Sequence, residues 1–199
     1  MIVVVAALKG GVGKTTTAVY LAAAAVTGRR IVTVVDADPQ ASAADWLDGT
    51  DDPFLEPIGL TEAPTERLLG KALDGLDEDE AVIVDTPPGD ERLLIKALSL
   101  ADVVIVPTRV GGIETTRVEA VLQLVPRRTP VGLVISSART FTRDYQDVVT
   151  GWHDAEVPVW GSIPERVSIA SGPEAGLAPE GVELYRGVWR RALRAARGY

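Results

Sequence analysis

The 199-residue chain contains no cysteine, a single histidine and a single methionine. Thiol nucleophiles, iron–sulfur clusters and Cys/His zinc sites are therefore excluded, and a Ser-His-Asp triad would have to rest on His153 alone. The lack of cysteine suits a reducing cytoplasm. Long apolar runs are missing as well: the richest, Ala18 to Val26, carries a tyrosine and falls short of the roughly 18 to 20 residues that span a bilayer. The apolar start Met1 to Leu8 has no basic segment before it and is followed by Lys9-Gly-Gly instead of a cleavage site, so it reads as a buried strand and not as a signal peptide.

What is present is ordinary for a packed protein, with 46% hydrophobic and 24% charged residues, and one domain over residues 1–199 is expected. A chain of this size buries roughly 70% of its unfolded surface and needs no disulfide or structural metal. The net charge is −8, unevenly spread: residues 1–102 hold 18 acids and 8 bases, residues 103–199 hold 10 acids and 12 bases. From Leu184 to Tyr199 there are five arginines and no acid. The net charge argues against a protein coated all over by nucleic acid, while leaving room for a local basic patch.

Short β-branched runs (Ile2 to Ala7, Arg30 to Val35, Ala81 to Asp85, Val103 to Pro107, Val131 to Ser136, Val157 to Trp160) alternate with helical patterns such as Thr15 to Thr27, Glu91 to Leu100, Glu114 to Val125 and Thr142 to Trp152. Strands that are apolar throughout, separated by helices, mark a parallel sheet covered on both faces. The fold class is α/β, a doubly wound, mostly parallel twisted sheet. The acidic stretch Asp48 to Glu62 is expected to be irregular, with a short edge strand at Phe54 to Ile58.

Directly after the first strand stands Lys9-Gly10-Gly11-Val12-Gly13-Lys14-Thr15-Thr16, followed by an apolar helix. Glycines let backbone amides curl around phosphates, and the helix N-terminus adds unpaired N–H groups and partial positive charge. Lys14 is placed for the β- and γ-phosphates and Thr15 for magnesium. At the end of the second strand lies Asp36-Ala37-Asp38-Pro39-Gln40, where carboxylates face the ligand crevice of an open α/β sheet.

The loop lacks the first glycine of G-x-x-x-x-G-K-S/T, having Leu8 there, and adds Lys9. This deviant Walker A pattern, K-G-G-x-G-K-S/T-T, together with D-x-D-P-Q, resembles the ParA/MinD family of P-loop ATPases, and the likeness runs over essentially the whole chain. A third element, Ala81-Val-Ile-Val-Asp85-Thr86-Pro87-Pro88-Gly89, has the Walker B arrangement, with Asp85 for magnesium through water and Thr86, Pro87, Pro88 and Gly89 as a switch. The resemblance implies ATP and Mg2+ as ligands, Asp38 as the residue that orients the hydrolytic water, Asp36 as support for the magnesium shell, and Pro164 and Arg166 as adenine or ribose neighbours. It also implies that Lys9 reaches across an ATP-bound homodimer to the partner's phosphates. Where some relatives place a base-reading Asn or Asp, this chain has Ile135-Ser136-Ser137.

No DNA-reading helix-turn-helix is expected before Met1, which points to the short ParA type: a cytoplasmic, slow ATPase that binds nucleoid DNA non-specifically in its ATP state and is triggered by a centromere-binding, ParB-like partner. Candidate DNA contacts are Arg139, Arg143, Arg186, Arg190, Arg191, Arg194 and Arg197. The last five lie on a helical pattern whose apolar positions (Leu184, Tyr185, Val188, Trp189, Ala192, Leu193, Ala196) predict packing on the sheet. Two alternatives remain open: a MinD-like membrane helix inserting Trp189 and Leu193, and a relative that positions a protein cargo. His153 is expected on the surface, Trp46 and Trp160 in the core.

Overall fold

The computed structural model describes residues 1–26, 31–77, 79–170, 172 and 176–198, with backbone alone at 167 and 170. In chain order the elements are β1 (Ile2–Val5), α1 (Lys14–Ala25), β2 (Ile31–Asp36), α2 (Ser42–Gly49), β3 (Ile58–Glu62), α3 (Glu66–Ala72), β4 (Glu80–Asp85), α4 (Glu91–Leu100), β5 (Val103–Thr108), α5 (Gly112–Leu124), β6 (Val131–Ala138), α6 (Arg143–Asp154), β7 (Val159–Pro164), α7 (Val167–Ala170) and α8 (Pro179–Ala196). The seven strands make one sheet in the order β3-β2-β4-β1-β5-β6-β7, and all pairings are parallel. The doubly wound fold read from the sequence is the fold observed.

Alternation along each strand sends side chains to opposite faces. Val3 and Val5 join one apolar cluster with α1 and α8, whereas Val4 joins a second with α4 and α5. Helix α1 is buried nearly all round, as a helix trapped between a sheet and another helix must be. Helix α8 lies against it through Val182, Tyr185, Val188, Trp189 and Ala192. Gly181 permits the approach, because a Cβ there would stand 2.5 Å from Cε1 of Tyr20. Tyr20 and Tyr185 stack with centroids 5.5 Å apart.

The last helix therefore packs as its periodicity predicts, except that Leu184 is exposed. Trp46 and Trp160 are buried and His153 is exposed, as expected. The edge strand begins at Ile58 instead of Phe54, because Asp52 winds residues 52–56 into turns: Phe54 N–H donates to its carboxylate, and Leu55 and Glu56 donate to its carbonyl. Helices α2 and α3, of eight and seven residues, are too short for periodicity to reveal. Pro164, expected beside the adenine or ribose, is the last residue of strand β7. The predicted end of the first helix at Thr27 and start of the second strand at Arg30 lie outside the described residues.

Candidate active site

Between β1 and α1 the chain turns through Gly11 (φ 76°) and Gly13 (φ 92°), both in the left-handed region that favours glycine. Gly13 caps α1 without any side-chain cap, so the first N–H groups of the helix are left to meet a ligand. Buried Lys14 donates from Nζ to the carbonyl of Lys9 at 3.0 Å. Burial lowers its pKa, and the charges of Asp85 and Asp38 oppose that shift.

Asp85 ends β4 beside this loop. Its Oδ2 accepts from the Thr15 hydroxyl at 2.7 Å, while the buried Oδ1 has no partner. Desolvation raises its pKa to about 7 against the opposing Thr15 hydrogen bond, with Asp36 raising it further. A buried acceptor without a donor marks a place where something else belongs. Among the described residues no group of three His, Asp or Glu could hold a metal unaided. Magnesium commonly uses one or two carboxylates with waters and phosphate oxygens, and the Thr15–Asp85 pair beside a phosphate loop fits that need.

Asp36 is buried at the end of β2. Its Oδ1 accepts from Asp38 N–H and its Oδ2 from Ala43 and Ala44 N–H, at 2.9 to 3.0 Å. It thus supplies from β2 the cap that α2 lacks in its own sequence. Burial raises its pKa, and these N–H bonds pull the other way. Asp38 is left half-buried at the rim of the crevice, with one oxygen bound by Gln40 N–H. In the expected switch, Thr86 is tied to the Val5 carbonyl at 2.8 Å and buried, as is Pro87, whereas Pro88 and Gly89 (φ 80°) are exposed. Only the last two of the four stand at the surface.

Gly10, Gly11, Gly13, Lys14, Thr15, Thr16, Asp38 and Pro88 share one crevice of about 510 Å³. A second, also about 510 Å³, runs from Gly11, Gly13 and Thr16 past Ser136 and Ser137 to Pro164 and Arg166. In this second crevice the buried Ser136 hydroxyl has no partner. Val12 and Lys9 line neither. They border the cleft between β5 and α5, where Lys9 pairs with Glu114. Sequence reading missed Glu114: it stands 105 residues from Lys9, and nothing local to either residue announces the contact.

The arginines divide. Arg139 pairs with Glu165, Arg143 lies 3.9 Å from Asp147, Arg186 pairs with Glu183, and Arg191 donates to the Trp160 carbonyl at 2.7 Å. Among the described residues Arg190, Arg194 and Arg197 have no acidic partner, and with Leu193 they line a surface groove. Trp189 is buried, so α8 does not offer it to a lipid surface. No described helix is long and apolar enough to cross a membrane.

The sequence profile of the CobQ/CobB/MinD/ParA nucleotide binding domain matches residues 3–179. The chain belongs to this family. Within it, the chromosome-partitioning ATPase Soj of Thermus thermophilus is 30% identical over 209 aligned positions, covering 84% of this chain and 82% of Soj. A stretch of 102 residues is 43% identical to the maintenance of carboxysome distribution protein A of Gloeobacter kilaueensis, covering 50% of this chain and 45% of that protein. The chain thus matches less than half of that relative's length. The AMPPNP-bound plasmid partition protein of Borrelia burgdorferi superposes with a TM-score of 0.76 at 20% identity, covering 97% of this ParA/MinD-family chain and 98% of its own.

Proposed function

We propose that this chain is a magnesium-dependent, ParA-type ATPase that dimerises around two ATP molecules and binds DNA non-specifically in that state. The observation that carries the reading is the convergence of Lys14, Thr15 and Asp38 on one crevice, with Asp85 presenting an unpartnered buried oxygen beside it. The loop amides and the Lys14 ammonium, leaving the Lys9 carbonyl, bind β- and γ-phosphate oxygens. Thr15 and, through water, Asp85 would hold Mg2+, which would neutralise charge on the phosphates. Asp36 acts by fixing the Asp38 loop. Asp38 orients water for attack on the γ-phosphorus; the bond to the bridging oxygen breaks, and ADP and phosphate leave. Ser136, Pro164 and Arg166 border the base and ribose. Lys9 serves the partner protomer's nucleotide.

For DNA, the reading rests on Arg190, Arg194 and Arg197, whose charges no acid of the described chain neutralises. A ParB-like partner then stimulates a slow basal turnover, and ATP-bound dimers associate with the nucleoid. The same cycle positioning a protein cargo is the second reading, favoured by the 43% identical stretch shared with a carboxysome distribution protein. Co-sedimentation with non-specific duplex DNA at low salt, with ATP against ADP and with Asp38→Ala to prolong the ATP state, tests the first. Binding in ATP alone supports it. ATP-dependent dimers that ignore DNA overturn the DNA step and favour a protein matrix.

A further inference from the structure

Lys9 does not face the crevice that its own loop builds. Its ammonium lies 2.7 Å from Oε1 of Glu114, and Nη1 of Arg117 lies 3.2 Å from the same oxygen. Glu114 occupies the first turn of α5, where the helix N-terminus favours a carboxylate. Its side chain is only 12% exposed, against 46% and 41% for Lys9 and Arg117. One oxygen of a largely buried carboxylate thus serves two cations, one of which belongs to the phosphate loop.

We propose that Glu114 is a positioning residue that latches Lys9 onto its own chain in the nucleotide-free protein, and that Arg117 is the counter-ion that lets Lys9 leave. The inference rests on the proposed ATP dimer in which Lys9 serves the partner. Stripping a buried carboxylate of its only cation is strongly unfavourable. With Arg117 already in place one turn along α5, departure of Lys9 leaves an intact i,i+3 pair. The two cations compete, so Arg117 weakens the hold on Lys9. The main chain of Lys9 is itself tied to the phosphate site through the Lys14 hydrogen bond at 3.0 Å. A phosphate that draws Lys14 away frees the Lys9 carbonyl, so nucleotide occupancy loosens the residue that must swing out.

Glu114→Gln, Arg117→Ala and the double variant, each in the Asp38→Ala background of the full chain, are to be compared for dimerisation in Mg-ATP by sedimentation velocity. Glu114→Gln is expected to tighten the dimer about fivefold per protomer, about 25-fold in the dimer constant, as for a pair of about 1 kcal/mol. Arg117→Ala is expected to weaken it, and the double variant to behave as Glu114→Gln. A merely structural role would move both single variants the same way, and that result overturns the latch. Equal dimerisation of Glu114→Gln and the Asp38→Ala parent also overturns it while leaving the proposed function standing. Should Glu114→Gln fail to fold, the sign of the Arg117→Ala shift decides. Absence of an ATP-dependent dimer in every variant removes the proposed function, and the latch with it.

Discussion

The glycine-loop crevice and the outer face of α8 both gather charge, but under opposite conditions. Around the crevice Lys14, Asp36 and Asp85 are buried, and burial pushes each toward its neutral form: the lysine down, the two acids up. On α8 the arginines are exposed, and two of the five are already occupied, Arg186 by Glu183 and Arg191 by the Trp160 carbonyl. Buried charges without full compensation specify a ligand by position, since only a matching group relieves them. Exposed charges act by number and are screened by salt. The contrast separates a site that must be assembled from one that need only accumulate.

The largest effects are expected in the crevice, at Lys14 and Asp38. Lys14→Ala is expected to reduce nucleotide binding by about two orders of magnitude or more, and Asp38→Ala to slow hydrolysis by about 10²- to 10³-fold while sparing binding; a fluorescent-nucleotide titration beside a phosphate-release assay distinguishes the two. An Asp38→Ala protein that hydrolyses at the parental rate would remove Asp38 from the chemistry.

Next in size is the pH dependence of the nucleotide-free protein. With its pKa raised to about 7, folded Asp85 keeps a proton that the unfolded chain has lost by about pH 4. Between those values the folded state binds more protons, so stability falls as pH rises and levels off above about 7. The upward shift of Asp36 acts with the same sign. Asp85→Asn is expected to stabilise the nucleotide-free protein by about 2 to 4 kcal/mol at about pH 8 and hardly at all at about pH 4. Urea unfolding at the two pH values reads this directly, and equal gains at both would show that burial is not what raises the group.

On α8 the effects are smaller and divide along the helix. Replacing Arg190, Arg194 and Arg197 together by alanine is expected to lower the slope of log binding constant against log salt by about 2 to 3 for duplex DNA. Arg191→Ala is expected instead to cost about 1 kcal/mol of folding stability, because it unpairs the Trp160 carbonyl, with the salt slope little changed. If Arg191→Ala changed the slope as much as Arg194→Ala, the division drawn from its hydrogen bond would fail.

Much of the fold was legible because the residues that declare it are neighbours in sequence. The run Val82 to Val84 names a strand buried on both faces, and α4 (Glu91–Leu100) is the span its pattern predicts. The edge strand was misplaced by four residues because Asp52 bends the chain before it can pair. In the site, the loop glycines with Lys14 and Thr15 were readable on the same local grounds. The use of Asp36 as the cap of α2 was hidden, since its partners at Ala43 and Ala44 follow a turn of unforeseen shape.

Short-range patterns of sterics, hydrogen bonding and apolar spacing fix the glycine loop, the carboxylates at the ends of β2 and β4, and the parallel sheet that gathers them. Which charges are free depends on contacts between distant parts of the chain. Lys9 meets Glu114 across 105 residues and Arg191 meets Trp160 across 31. Whether a charge meets a partner, water or nothing depends on which elements the sheet order brings side by side.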